Sequence, residues 1–156
     1  MIDFIDLKIL AELQKDAGRP QKVLASDLDI TEATLSKKIK KLITDKVIRK
    51  YTIDVNYSDI GYLFSALTMV KEKKQSDSEV TGRTLVEIPE AIQVYKVTGD
   101  WDFVVVWLCK NPEQLDNVVS KVLNHANVDR VQTTFFLRAI KREAGIPLET
   151  IINQLK

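Results

Sequence analysis

The sequence predicts an α+β fold in two modules, on three observations. Through Thr44 the apolar residues recur with the period of amphipathic helices; from Tyr62 they alternate or run in β-branched blocks; and this second region orders its elements β-α-β-β-α-β. The first part reads as a helix-turn-helix head of winged type, the second as a ferredoxin-like βαββαβ sandwich. The expected layout is residues 1–48 for the head, 49–61 for an extended hinge, 62–142 for the sandwich and 143–156 for a helical tail.

Ile5, Ile9 and Leu13, broadened by Leu10, place an amphipathic helix over residues 3–16. Gly18 ends it, and Pro20 suits the start of a second helix over about residues 20–28. Ala25 is small, as the crossing of two packed helices requires. Asp29 stands where such turns usually place glycine, and Asp is among the few residues that visit the left-handed region at tolerable cost. Thr31 can cap the third helix, with Glu32 favoured in its first turn by the helix dipole.

The third helix carries the functional signal. Leu35, Ile39 and Leu42 form its apolar stripe, while Thr34, Lys37 and Lys41 point nearly opposite Ile39 and Lys38 and Lys40 lie on the flanks. A helix buried along one edge and offering cations and a hydroxyl on the other suits a DNA major groove. Thr31, Thr34, Lys37, Lys38 and Lys41 are therefore the candidate DNA-binding residues. A solvated amphipathic helix in a bundle is the plain alternative. The chain's net charge of only +1 hides a local excess: Thr31 to Lys50 holds seven basic and two acidic residues.

Val47 to Val55 is β-branched and reads as a strand or hinge. Beyond it, YLFSALTMV is strand-like, QSDSEVTGRTLVEI a helix despite Gly82, AIQVYKVT an alternating strand, TGDW a turn and DFVVVWLC a strand. PEQLDNVVSKVLNH is a helix opened by Pro112, and VDRVQTTFFLRAI the last strand. Phe103, Val105, Trp107, Phe135 and Leu137 carry so much apolar area along strands that both sheet faces should be buried, the second by another copy of the chain.

Composition narrows the function. With 45% hydrophobic and 29% charged residues the chain is an ordinary globular protein, and no apolar run approaches the roughly 20 residues of a membrane span. The acidic N-terminus is unlike a secretory signal, and Cys109, the single cysteine, excludes an internal disulfide, so a reduced cytoplasmic compartment is expected. Phosphate-loop, serine-hydrolase and zinc-protease motifs are absent. One His and one Cys do not make a usual metal site, and His125 is expected on the surface or at a helix cap. No catalytic residue, metal or cofactor is expected.

Asp6-Leu7-Lys8-Ile9-Leu10, Leu24-Ala25, Val47-Ile48-Arg49-Lys50-Tyr51, Gly61 and Gly99-Asp100-Trp101-Asp102-Phe103, in this order and spacing, make the chain resemble the Lrp/AsnC (feast/famine) transcription regulators from about Ile5 to Lys141. Asp29 stands at the usual turn glycine, and Asp45-Lys46 replaces the family's acidic-Gly pair before Val47. The resemblance implies a regulator that dimerises through its C-terminal module, assembles further into an even-numbered oligomer such as an octamer, and binds a free amino acid between dimers. It maps the effector region onto Thr98, Gly99, Asp100, Trp101, Asp102, Thr133 and Thr134. Asp100 or Asp102 could take the ammonium, and turn amides and threonine hydroxyls the carboxylate or side chain. The plain alternative is that Gly99 only permits a turn and Asp102 only caps it. Carboxylates and hydroxyls favour a polar effector such as glutamine, whereas Phe135 and Phe136 would favour an aliphatic one. Two rival functions stand beside this: a ligand-independent architectural protein that compacts double-stranded DNA, and a siroheme-decarboxylase-like enzyme on the same architecture.

Overall fold

The computed structural model describes residues 2–141 and 145–155, so the expected tail is seen only from Gly145 to Leu155. The chain forms two compact units, one reaching to Asp54 and resuming at Lys141, the other running from Val55 to Ile140.

The first unit begins with α1 (Phe4–Lys15), whose N-terminus is closed by a reciprocal pair: Asp3 accepts from the Asp6 amide at 2.8 Å and Asp6 accepts from the Asp3 amide at 3.0 Å. Pro20 precedes α2 (Gln21–Asp27), and α3 (Glu32–Thr44) follows a tight turn. That turn uses Asp29 at φ 53°, and the Ile30 amide reaches back 3.0 Å to the Ala25 carbonyl, which closes α2 with a left-handed cap. The same device ends α3: Lys46 takes φ 57° and the Val47 amide donates 2.9 Å to Leu42. Asp and Lys therefore occupy backbone positions that favour glycine. Ile9, Leu24, Ala25, Leu35, Ile39 and Leu42 make the buried core of the three helices. The short α6 (Leu148–Gln154) packs Leu148 and Ile152 on Ala11 of α1, with Glu149 2.7 Å from Lys15.

The second unit is β1 (Phe64–Glu72), α4 (Ser78–Val86), β2 (Ala91–Lys96), β3 (Phe103–Cys109), α5 (Pro112–Leu123) and β4 (Val128–Phe135), the expected order. The strands lie as β2-β3-β1-β4, antiparallel throughout. Register places Ala66 against Trp107, Thr68 against Val105 and Val70 against Phe103; these inward residues meet Leu85 of α4 and Leu115, Val118 and Val122 of α5 in one core. Gly82 of α4 lies over the Phe103 ring, where a Cβ would stand 3.4 Å away. Cys109 belongs to this core, and burial, with Glu90 nearby, pushes its thiol upward.

Residues 49–56, expected as a strand or hinge, lie in no ladder and lead into a 3-10 helix at Tyr57–Ile60. One expected strand extent differs. The last strand stops at Phe135 because Ala66 is its final partner on β1; Leu137, expected on a buried face, is 97% exposed.

Candidate DNA interface and effector site

Burial of Leu35, Ile39 and Leu42 against α1 and α2 leaves Thr34, Lys37, Lys40 and Lys41 exposed on α3. The Thr31 hydroxyl caps the helix by accepting from the Thr34 amide at 3.2 Å and lies 2.9 Å from the Thr34 hydroxyl. Thr34, Lys37, Lys38 and Lys41 line a shallow cleft of about 350 Å³. Lys37 and Lys41 have no partner among the described residues, so their ammonium groups are free for a polyanion.

Lys38, on the flank of α3 and expected among the DNA-binding residues, is ion-paired within the chain. Its Nζ lies 2.5 Å from Asp3 and 2.9 Å from the buried Asp6, and its side chain is only 22% exposed. The hydrogen bond to Asp3 outweighs desolvation and holds the ammonium more firmly protonated than usual, while the same bond draws the Asp3 carboxyl down. The flank position of Lys38 was legible in the helical period. Its partners were not, since Asp3 lies 35 residues earlier.

In the second unit the candidate effector residues fall into three places. Thr98, Gly99, Asp100, Trp101 and Asp102 form the β2–β3 turn, with Gly99 at φ 107°. Asp102 closes that turn onto β1: it accepts from the Glu72 amide at 2.8 Å, and Lys71 lies 3.1 Å away. Partial burial raises the Asp102 pKa, but the Glu72 amide and the Lys71 charge outweigh it, so the carboxyl sits below its ordinary range. Asp100 is exposed and has no side-chain partner among the described residues. Its neighbour Trp101 stacks under the Arg130 guanidinium at 5.0 Å from the ring centroid.

Thr133 and Thr134 point to opposite faces, as successive strand residues must. Thr133 turns inward, its hydroxyl 2.8 Å from that of Thr68, which in turn accepts 2.7 Å from the Trp107 indole. Thr134 faces outward opposite Leu67. Thr134 is four residues beyond Arg130 along β4, a rise of roughly 13 Å at about 3.3 Å per residue. Within one chain the β2–β3 turn therefore meets Arg130 rather than the two threonines. Arg130 and Lys71 were not singled out from sequence; the signal available was a cation interrupting an otherwise β-branched or apolar strand.

His125 closes the α5–β4 turn, accepting from the Asn127 amide at 3.2 Å, with Nε2 3.4 Å from the Thr84 hydroxyl. No group of potential metal ligands occurs among the described residues, and no helix there is long and apolar enough to cross a membrane.

Residues 65–146 match the family described as the Lrp/AsnC ligand binding domain, and residues 2–49 match a winged helix-turn-helix DNA-binding family. The chain belongs to the Lrp/AsnC family. Among Lrp/AsnC relatives, the Pyrococcus furiosus HTH-type transcriptional regulator FL11 is 35% identical over 149 residues, covering 96% of this chain and 98% of that one. A Neisseria meningitidis transcriptional regulator solved in complex with L-Met superposes with a TM-score of 0.90 at 21% identity, over 97% of this chain and 99% of that one. The Mycobacterium tuberculosis feast or famine regulatory protein, solved with L-methionine, gives a TM-score of 0.86 at 21% identity, over 94% and 99%. These Lrp/AsnC proteins are transcriptional regulators, not enzymes, and the expected α+β architecture is theirs.

Proposed function

We propose that this chain is a cytoplasmic, sequence-specific DNA-binding regulator whose assembly and DNA binding respond to a free amino acid held at the β2–β3 turn. The observation that carries the ligand site is the division of labour within that turn. Asp102 is occupied by Glu72 and Lys71, whereas Asp100 is exposed and unpartnered beside the Arg130–Trp101 stack. A zwitterion needs an acceptor for its ammonium and donors for its carboxylate. Asp100 supplies the first and the Arg130 fork the second, with Thr98 and the Gly99 turn beside them. Thr134 joins such a site only from another copy of the chain.

A second copy is also what the sheet calls for. Helices α4 and α5 cover one face, and Leu67, Met69, Val104 and Val106 remain partly exposed on the other. Covering these residues couples folding to dimerisation, and further association of dimers into an octamer-like particle would bring effector turns to assembly contacts. The L-methionine held by two fold neighbours favours a screen that spans apolar as well as polar side chains, glutamine included.

The test is calorimetry with each of the common free amino acids, with light scattering alongside. The expected result is that at least one binds and changes the particle mass. Asp100→Asn should weaken it by about tenfold or more, the worth of a hydrogen bond to a charged group. Absence of heat and of any mass change with every amino acid would favour the architectural DNA-compacting reading. A scattering mass of 17.8 kDa at micromolar protein would remove the assembly.

A further inference from the structure

Four carboxylate oxygens converge at the start of α1 and divide two tasks between them. Asp3 uses Oδ1 and Asp6 uses Oδ2 to close the helix N-terminus on each other's amides. The remaining oxygens, Asp3 Oδ2 and Asp6 Oδ1, both bind Lys38 Nζ, at 2.5 and 2.9 Å. Asp6 is 3% exposed, so its charge depends on this ammonium for neutralisation.

We infer that Lys38 is a positioning residue for DNA binding, one that sets the rotation of α3 on α1 and does not itself touch DNA. The inference rests on α3 being the helix that meets DNA. A side chain clamped by two carboxylates cannot leave for a phosphate without stranding a buried charge. Its neighbour Lys37 is one step round the helix, and Lys41 one turn from Lys37, so the angle at which Lys38 docks is the angle at which those free cations face outward. The arrangement also explains why a cation is needed at a position that the burial pattern leaves only partly exposed.

Affinity and salt dependence separate the two roles. The probe is a 30-base-pair mixed-sequence duplex titrated at several salt concentrations, with circular dichroism to confirm helix content. Lys37→Ala, the control for contact, should lower the slope of log K against log salt by about 0.9. Lys38→Met should weaken binding by about threefold to thirtyfold, the range for residues that modulate a site without touching its ligand, while holding the slope. Lys38→Met combined with Asp6→Asn removes the stranded charge and keeps the wild-type net charge. With the clamp still absent, this double variant should bind more weakly than wild type while keeping the wild-type slope. A slope lowered by about one unit in the double variant would overturn the inference, because Lys38 would then be displacing counterions itself. Unchanged affinity in a folded Lys38→Met variant would overturn it equally. If Lys38→Met alone does not fold, the double variant decides by its slope. A Lys37→Ala variant indistinguishable from wild type in both quantities would instead count against α3 as the DNA-facing helix, a separate failure.

Discussion

Replacing Thr68 with valine separates a ligand-binding threonine from a structural one, because Thr133 is joined to Thr68. Thr68 and Trp107 are both 0% exposed, and the indole donates 2.7 Å to the Thr68 hydroxyl, which lies 2.8 Å from that of Thr133. Valine keeps the shape and removes the acceptor, leaving a buried N–H unpaired at about 1–3 kcal/mol. The methyl that replaces the hydroxyl returns up to about 0.8 kcal/mol through burial. With the hydrogen bond to Thr133 lost as well, the expected net loss is about 1–2 kcal/mol, which at about 4–8 °C per kcal/mol lowers the melting temperature by about 4–16 °C for a unit of this size. Thr133→Val should cost less, about 0.5–1 kcal/mol, since Thr68 still serves the indole and only one net hydrogen bond goes. Combining Thr68→Val with Trp107→Phe removes donor and acceptor together, so the pair should show a coupling of about 1 kcal/mol. Urea unfolding followed by circular dichroism at one fixed protein concentration measures wild type, the three single variants (Trp107→Phe included) and the double variant, the fixed concentration being needed where association contributes. Thr68→Val within about 0.5 kcal/mol of wild type, or no milder loss for Thr133→Val, would refute the hydroxyl chain as the holder of Trp107.

Two further outcomes follow from the charged groups. Lys37→Ala with Lys41→Ala should lower the salt slope of DNA binding by about 1.8, at about 0.9 per phosphate contact, and a duplex titration that shows no change would move the interface off α3. Asp102 has a carboxyl drawn below its ordinary range by Glu72 and Lys71 against the opposing effect of burial, so its stabilisation is present above the unfolded value of about 3.9 and is lost as pH falls through the lower folded value. Urea midpoints measured from pH 6 to pH 2 should fall less steeply for Asp102→Asn than for wild type; an identical acid limb would show that the contact carries no stability.

Much of the architecture was legible because it is written in local periods. Leu35, Ile39 and Leu42 mark the buried edge of α3 without any knowledge of what covers it, and the alternation in AIQVYK marks a strand before its neighbours are known. Backbone strain was legible at Asp29, which adopts the left-handed conformation its position required. Lys46 does the same at the other position where the resemblance expects glycine, so the turns were legible from the pattern, while residue type alone did not show that Lys would adopt that conformation. The expected site was legible as a set of residue types, and less so as a set of neighbours.

Local pattern therefore sets the elements, their order and the sign of charge on each exposed face, all properties of residues a few positions apart. Tertiary structure alone decided which of the adjacent lysines are free, because Lys38 finds its carboxylates 32 and 35 residues away through the packing of α3 on α1. It decided that Thr133 serves the core while Thr134 faces outward, because the pleat and the register of β4 on β1 assign each side chain a face. It also brought Arg130 onto Trp101 and left Asp100 open. The physical reason is common to the three cases: a helical or strand period specifies direction about one element's own axis, whereas a hydrogen-bond partner depends on the distance to another element, which only packing sets.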